Sequence, residues 1–378
     1  MTLASGAAAG PPGEVAGDLA AGPVCPLPIA QPETIVLGHG SGGKLSQELL
    51  EQVFWPAFAN PALERREDAA VLTGPAAGAA APPRWAFTTD AFVVTPLFFP
   101  GGDLGQLAVN GTVNDLAVSG AEPMYLSAAF ILEEGLEMAV LRRVVDSMRQ
   151  AAAAAGVMLV TGDTKVVNRG AGDQIYVATS GLGVVPPGIA WGADRIRPGD
   201  QILLSGTIAD HGIAILTQRE ELAFEGEIRS DTAALHGLIA ALRQGLEAAP
   251  GAGAALRALR DPTRGGVAAT LTEWAQRAQV GIEIDEAAIP VADAVRGACE
   301  ILGLDPLHVA NEGKLVAAVA APAAAPALAA LRAHALGRQA VAVGRVVAAH
   351  PGRVLMRTAI GGHRIIDTLW GEQLPRIC

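Results

Sequence analysis

The sequence predicts a two-domain protein of the α+β class. Its 378 residues exceed the size of one average domain and fit two of ordinary size. Two blocks of mixed helix and strand patterns lie on either side of residues 191–200, a charged stretch with a Pro-Gly turn that is typical of a domain junction. Because 51% of the residues are hydrophobic, the chain can bury a large core.

The first block has three segments with the apolar spacing of helices and three with the pattern of strands. Helices are predicted over 44–54, 104–120 and 141–155, and strands over 85–89, 157–160 and 174–185, of which 157–160 is expected to be buried. Order begins with an apolar run at 34–37, a predicted short strand. Residues 1–32, rich in Ala, Gly and Pro, predict a disordered extension, and a similar patch at 74–83 predicts a loop.

The second block shows the same alternation of helical and strand patterns. Strands are predicted over 201–206, 281–284 and 314–320, helices over 211–220, 265–278 and 323–334, and short strands over 341–370 with a turn at Gly361–Gly362. The alternation supports the α+β class for the second domain too.

Charge and cysteine content exclude several classes of function. The net charge of -11 disfavours nucleic-acid binding through a basic face. The three cysteines, Cys25, Cys299 and Cys378, form no CxxC pair, so neither a zinc site nor a disulfide framework is indicated. No apolar run reaches transmembrane length and no signal-peptide pattern opens the chain, so a reducing, cytoplasmic setting is expected.

A glycine-rich string, GHGSGGK at 38–44, is the first candidate binding element. Glycines let backbone amides approach a phosphate group. The string matches a Walker A loop up to Lys44, but the next residue is Leu45, where a hydroxyl should hold magnesium, so an ordinary P-loop is disfavoured. From the string alone, a phosphate site and a plain turn remain alternatives.

Five aspartates stand in small-residue or apolar surroundings, where a carboxylate is costly unless it is paired or bound to a metal. They are Asp68, Asp90, Asp115, Asp163 and Asp261. Several such carboxylates could hold magnesium against a triphosphate. Each taken singly is more often a helix cap or a turn residue, so the hypothesis depends on their number.

Two further residues could react. Lys165 follows TGDT at a strand end, where a lysine can neutralise charge on a transferred phosphoryl group. Glu312, in the string ANEGK before a strand, could remove a proton. Taken singly, each is more often a surface residue.

Cys378 is the last residue of the chain. A prenylation box needs its cysteine four residues from the end, so that reading is excluded. A thiol on a chain end can be carried into a site by a mobile tail, and Gly371 could serve as its hinge. The alternative is an accidental terminus.

Together these strings resemble the HypE family of hydrogenase maturation factors. The resemblance is carried by GHGSGGK, by the stretch from TTDAF to PMYLS (residues 88–127), and by TGDTKVV, DPTRGG, NEGK and the terminal PRIC. It runs from about Ile35 to Cys378, and the terminal PRIC is its most specific part.

The resemblance implies the fold of aminoimidazole ribonucleotide synthetase and selenophosphate synthetase. It implies an N-terminal ATP-binding domain at 33–190 whose strands form a homodimer, a C-terminal α+β domain at 191–345, and C-terminal strands with a flexible tail at 346–378. The implied activity is ATP-dependent dehydration of a carbamoyl group on Cys378 to a thiocyanate, the source of cyanide ligands for [NiFe]-hydrogenase. The carbamoyltransferase HypF would be the donor and the HypC–HypD complex the cyanide acceptor.

The resemblance also implies roles for individual residues. Cys378, Lys165 and Glu312 would be catalytic, and which of the last two removes the proton stays open. ATP would contact His39, Gly42, Gly43, Lys44, Asp90, Asn114, Gly162, Asp163 and Thr164. Magnesium would be held among Asp68, Asp90, Asp115, Asp163 and Asp261.

Two other functions fit the same strings. One is an ATP-dependent small-molecule synthetase or kinase of the same superfamily, although a free substrate would not need a terminal cysteine. The other is a non-catalytic maturation scaffold, with PRIC as a docking tail.

Overall fold

The computed structural model describes residues 34–75, 82–222, 224, 226–248, 255–371, 374 and 376–378. The predicted extension over 1–32 and most of the predicted loop at 74–83 lie outside the described residues. The helices are α1 (Lys44–Leu49), α2 (Trp55–Phe58), α3 (Leu104–Val118), α4 (Met138–Ala155), α5 (Asp210–Arg219), α6 (His236–Glu247), α7 (Gly266–Ala278), α8 (Asp293–Leu302) and α9 (Ala324–Ala333).

The strands form two large sheets and one short hairpin. They are β1 (Ala70–Thr73), β2 (Arg84–Phe92), β3 (Phe98–Phe99), β4 (Gly102–Asp103), β5 (Glu122–Glu133), β6 (Met158–Val167), β7 (Ile175–Val184), β8 (Gln201–Leu204), β9 (Leu256–Arg260), β10 (Gly281–Asp285), β11 (Val316–Val319), β12 (Val341–Val347), β13 (Val354–Arg357) and β14 (His363–Ile366).

The first sheet has the strand order β1-β2-β7-β5-β6. Its pairs are antiparallel except β5 with β6, which are parallel and are joined through α4, because parallel neighbours need a crossover connection. Short β1 pairs only with residues 84–87 of β2, so β1 leaves the half of β2 that carries Asp90 uncovered. Strand β6 lies at the opposite edge.

Helix α3 covers one face of this sheet and is buried almost all round. Asp103 caps it by accepting hydrogen bonds from the backbone amides of Gly105 and Gln106. A Cβ on Gly105 would lie 2.4 Å from the carbonyl oxygen of Val144, so glycine permits the close packing of α3 on α4. The helix thereby carries its central residues into the middle of the protein.

The other face of the sheet is open and partly apolar. On this face Phe87 of β2, Ile131 of β5 and Met158 of β6 are 47%, 43% and 59% exposed. Leu159 and Val160, which follow Met158 on edge strand β6, are 40% and 58% exposed.

The predicted strand at 157–160 corresponds to the start of β6. Its predicted burial is correct for Val157, which is 5% exposed, and wrong for Met158, Leu159 and Val160 in the chain by itself. An apolar run in a sequence does not distinguish a strand that the same chain buries from an edge strand that it leaves exposed.

The second sheet has seven strands in the order β14-β13-β10-β12-β8-β11-β9. The α7 side chains Leu271 and Trp274 pack in one core with β8, β10 and β12, and α6 and α9 contribute to another. The predicted C-terminal strands β13 and β14 belong to this sheet.

All predicted helices and most predicted strands are present, but one predicted strand is absent and several elements of the structure were not predicted. The predicted strand at 34–37 is absent, and Leu37–Gly40 forms a 3-10 turn. The sequence patterns did not predict the strands β1, β5 and β9, the helices α6 and α8, or the short hairpin of β3 and β4. Within the described parts of the chain, no helix combines the length and apolarity needed to cross a membrane.

Candidate active site

Three of the predicted aspartates meet in one cluster. Asp68 precedes β1, Asp115 lies in the middle of α3 and Asp261 directly follows β9, and each offers a carboxylate oxygen within 4.8 Å of the others. The hydroxyl oxygen of Thr88 lies 2.7 Å from Oδ2 of Asp115 and 3.0 Å from the carbonyl oxygen of Asp68. The two domains thus contribute to one acidic cluster.

Burial and mutual repulsion shape the charge of the cluster. Burial raises the pKa of Asp68 and Asp115 well above the ordinary value, and the charge of Asp261 raises both further. Burial raises the pKa of Asp261 to about 6. Arg260 offsets part of this, since its Nε lies 2.8 Å from Oδ1 of Asp68. Three hard oxygen donors with one neutralising arginine fit a divalent cation such as Mg²⁺.

Asp90 and Glu312 lie beside this cluster. Burial raises the pKa of Asp90, and the charge of Asp90 in turn raises the pKa of Asp115 and Glu312. Glu312 is 2% exposed, and its Oε1 has no hydrogen-bond partner among the residues the structure describes. Burial, followed by the charges of Asp90 and Asp261, raises its pKa well above the ordinary value. An unpartnered buried carboxylate of raised pKa has the properties of a general base.

The glycine-rich string packs against the edge of this region. Gly42 adopts φ +76°, and a Cβ there would lie 2.9 Å from the carbonyl oxygen of Arg264. Gly43 packs on Leu369 in the same way, and the Lys44 amine lies 2.6 Å from Oδ2 of Asp367. The string is therefore a fixed turn between the DPTRGG segment and the C-terminal segment. His39, its second residue, lies half-buried in the 3-10 turn Leu37–Gly40.

Asn114 is fully buried in α3 and is held by internal hydrogen bonds. Its Oδ1 accepts from the backbone amide of Leu235 at 2.7 Å, and its Nδ2 donates to the carbonyl oxygens of Ala233 and Glu312 at 3.0 and 3.4 Å. Asn114 thus ties α3 to the loop that carries Glu312, and a nucleotide would share this amide with those partners.

The chain end enters the same region. The backbone amide of Val93, directly after β2, donates to the Cys378 oxygen at 2.9 Å. Cys378 is half-buried against an apolar core to which both domains contribute, and Ile377 before it is 6% exposed. The negative charge of Cys378, together with those of Asp90 and Glu312, raises the pKa of Arg264. Cys378, Asp90 and Glu312 therefore share one site.

Residues Gly162, Asp163, Thr164 and Lys165 lie elsewhere, on edge strand β6. Asp90 pairs across the sheet with Thr179, Thr179 with Ala128, and Ala128 with Gly162. Three strand spacings separate Asp90 from β6, a distance of about 14 Å.

The side chains of Asp163 and Lys165 also point to the other face of the sheet. Their register partners on β5 are Ala129 and Ile131, on the open face opposite α3. They pair with each other, Lys165 Nζ lying 2.8 Å from Oδ2 of Asp163. Within one chain they are not brought to the acidic cluster.

Sequence reasoning missed Arg260 and Arg264, which flank Asp261 and neutralise carboxylates of the site. Arg264 lies inside the DPTRGG string used for the resemblance, but no spacing rule marks it as a site residue. The sequence signal available for both arginines was their position within three residues of Asp261.

The fold and site are matched by two known domain families. Residues 66–185 match the family described as AIR synthase related protein, N-terminal domain, and residues 197–357 match the corresponding C-terminal domain. The protein is therefore a two-domain member of the AIR synthase-related class, which confirms the predicted fold class.

Its relatives within that class are specific. The carbamoyl dehydratase HypE of Rhodobacter capsulatus is 56% identical over 92% of this chain and 98% of its own length. A solved HypE–HypF complex shares 46% identity with a TM-score of 0.78, covering 85% of this chain and 99% of its match. A HypE structure in complex with ATP shares 47% identity with a TM-score of 0.74, covering 91% and 100%. The chain belongs to the carbamoyl dehydratase HypE family, enzymes of hydrogenase maturation.

Proposed function

We propose that the chain dehydrates a carbamoyl group on its own Cys378 to a thiocyanate at the cost of ATP, and so supplies cyanide ligands for the iron of [NiFe]-hydrogenase. The observation that carries this proposal is the docking of the terminal cysteine beside Asp90, Glu312 and the acidic cluster. A small-molecule synthetase or kinase would place a free substrate there, and a scaffold would not need a buried base.

The reaction needs an activated oxygen. A thiocarbamate on Cys378 carries an amide-like oxygen that cannot leave as hydroxide. In the first step that oxygen attacks the γ-phosphorus of ATP, ADP leaves, and the nitrogen loses one proton. In the second step the C–O bond breaks, phosphate leaves with the second N–H proton, and S–C≡N forms. Phosphate is the better leaving group because its second pKa is about 6, against roughly 15.7 for water.

Glu312 is the proposed base for the N–H protons. It lies in the region of Cys378, its Oε1 is unpartnered among the described residues, and burial raises its pKa well above the ordinary value. Gly313 permits its placement, because a Cβ there would lie 1.8 Å from the carbonyl oxygen of Asp231. Arg264 is placed to balance the charge of Cys378.

We also propose that Asp68, Asp115 and Asp261 hold Mg²⁺ and that ATP binds next to them. Without a cation the cluster is electrostatically unfavourable, since one buried and two half-buried carboxylates are offset by one arginine. When bound, the metal neutralises phosphate charge and orients the triphosphate. The HypE–ATP complex supports the nucleotide part of this proposal.

Replacing Asp115 with Asn tests the cluster. We expect Mg-ATP affinity to fall at least tenfold, while the free energy of unfolding in EDTA at pH 8 rises by about 1–2 kcal/mol. The gain arises because the raised pKa of Asp115 makes its ionised form costly in the folded state. The gain should therefore vanish below pH 4, where the carboxyl is protonated in both states. Calorimetry and urea unfolding measure the two effects.

The matched control is Asp146→Asn, on the exposed surface of α4, which should leave Mg-ATP affinity native and should not raise the free energy of unfolding, because hydrogen bonds from Arg149 and Gln150 lower the pKa of Asp146. Native Mg-ATP affinity in the Asp115→Asn protein would remove Asp115 from the metal site.

We propose a homodimer in which β6 of each chain completes the site of the other. Asp163 and Lys165 carry the chemistry expected beside a phosphoryl group, yet they lie on the open face, about 14 Å from Asp90 within their own chain. The same face exposes Phe87 and Ile131. A second copy seated on this face would cover the apolar side chains and could bring Lys165 to the γ-phosphate of its neighbour.

Replacing Ile131 with Glu tests the dimer. We expect light scattering to give twice the chain mass of 38.4 kDa for the native protein and the single-chain mass for the variant, since each copy of the new carboxylate would be buried in the interface. Ile301→Glu, on a 74% exposed position of α8, is the control and should stay dimeric.

Complementation tests the shared site. Lys165→Ala and Cys378→Ala proteins should each be inactive, and mixing them under exchange conditions should restore part of the activity. A native protein of single-chain mass at micromolar concentration would contradict the dimer, and mixed dimers without activity would contradict the sharing of Lys165.

The proposed donor is HypF, because the HypE–HypF complex is among the matching structures. The proposed acceptor is the HypC–HypD complex, on the basis of the sequence resemblance alone. ATP hydrolysis tests the whole proposal: it should depend on a carbamoylated Cys378. Hydrolysis that is equally fast without the carbamoyl group would favour the small-molecule enzyme, and no hydrolysis under any condition would favour the scaffold.

A further inference from the structure

The last three residues are held by their main chain. The carbonyl oxygen of Arg376 accepts from the backbone amide of Thr95 and from a guanidinium nitrogen of Arg219 at 2.6 Å. The oxygen of Ile377 lies 2.7 Å from Nε2 of His211. The oxygen of Cys378 accepts from the amide of Val93 at 2.9 Å. Two consecutive peptide carbonyls and the terminal carboxylate therefore each have a protein donor.

Two of these donors lie on α5, two turns apart. Arg219, the last residue of α5, also donates from Nε and Nη2 to the carbonyl oxygen of Thr95 at 3.0 and 2.9 Å, so one guanidinium joins the tail to the segment after β2. A Cβ on Gly212 would lie 3.0 Å from Cδ1 of Leu374, so the same helix packs closely on the apolar part of the tail.

His211 is completely buried and its ring has a defined tautomer. A carbonyl oxygen can only accept, so Nε2 carries the proton and donates to Ile377. Nδ1 then accepts from the Ser230 hydroxyl at 2.8 Å, and the hydroxyl oxygen accepts from the amide of Thr232 at 3.1 Å. Burial lowers the pKa of His211, which agrees with a neutral ring.

We infer that α5 is the docking element for the C-terminal tail, and that Arg219 and His211 are positioning residues that set the register of Cys378 in the active site. This inference deepens the proposed function and rests on it. These donors bind main-chain oxygens, so they set the position of the tail along its length and do not select particular side chains. A shift of one residue would move the thiol by about 3.3 Å along the tail, enough to misplace the reacting carbamoyl group.

Arg219→Ala tests the docking without any substrate. The variant should raise the rate at which iodoacetamide alkylates Cys378 about tenfold, because a charge-assisted hydrogen bond between tail and helix is lost. Peptide mass mapping separates this cysteine from the others. Arg229→Ala, which removes an exposed arginine paired with Glu227, is the matched control and should leave the rate unchanged. Arg219→Lys should restore part of the protection.

The positioning role is tested with the carbamoylated full-length protein. Arg219→Ala should lower the single-turnover rate of dehydration about tenfold and leave the KM for ATP unchanged, because the nucleotide site is intact. His211→Gln, which can keep a donor, should retain more activity than His211→Leu. A native alkylation rate in Arg219→Ala would overturn the docking inference. Faster alkylation with a native dehydration rate would overturn the positioning role. The alkylation result stands even if dehydration proves not to be the reaction.

Discussion

Cys378→Ala should keep the fold and bind ATP normally but produce no thiocyanate and deliver no cyanide. The sulfur atom of Cys378 carries the carbamoyl group. A protein without this sulfur cannot form the substrate, so the whole reaction is lost and not merely slowed. Cys378→Ser could at best carry an oxygen carbamate and should also deliver no cyanide. One glycine appended after Cys378 should impair the reaction strongly, because the docked chain end lies against Val93.

The control for this prediction is Cys299→Ala. Cys299 is buried in α8, and burial raises the pKa of its thiol to about 11, so it is an inert core residue. The variant should dehydrate at the native rate per folded molecule. An accidental terminal cysteine would instead predict native activity for all three Cys378 variants.

Glu312→Gln should lower the dehydration rate at least a thousandfold and leave Mg-ATP affinity within a few-fold of native. General-base catalysis alone accounts for a factor of about 10²–10⁴. The raised pKa of Glu312 gives this prediction a pH signature. Below its pKa the carboxyl is protonated and cannot accept a proton, so the native rate should rise with pH through a limb above the ordinary range of glutamate.

That limb should be absent from the residual activity of Glu312→Gln. Single-turnover rates between pH 5 and 9 (roughly the range in which such a limb is expected) provide the measurement. Glu273→Gln, at a partly exposed carboxylate paired with Arg260, is the control and should keep the limb. A native pH profile in Glu312→Gln would assign proton removal to another group.

The sequence predicted six of the helices and most strands because their apolar periodicity is local, but it missed α6, α8 and the long strand β5. Helix α3 shows the limit of that reasoning. Asn114 and Asp115 stand side by side among apolar residues, but only the structure separates a carboxylate of the acidic cluster from an amide that holds the Glu312 loop. The difference lies in which long-range partner each side chain faces, and a single sequence does not contain that information.

The site shows the same limit over longer distances. The resemblance placed Asp163 and Lys165 in the same site as the other predicted aspartates. The sheet register instead places both residues about 14 Å from Asp90 and on the other face of the sheet. His211 and Arg219 lie in an ordinary helical pattern, so nothing local marks them as partners of the chain end more than 150 residues later, as their contacts with Arg376 and Ile377 show. Predicted tail mobility stays a prediction; the structure shows a docked tail.

The most direct test of the account is a mass spectrum of the C-terminal peptide after full-length protein has been incubated with the carbamoyl donor and Mg-ATP. We expect Cys378 to gain one carbon and one nitrogen and to lose one hydrogen, the change from thiol to thiocyanate, and to stop at the carbamoyl adduct when ATP is omitted. A thiocyanate on Cys25 or Cys299, or one formed by the Cys378→Ala protein, would place the reacting thiol elsewhere and contradict the central claim.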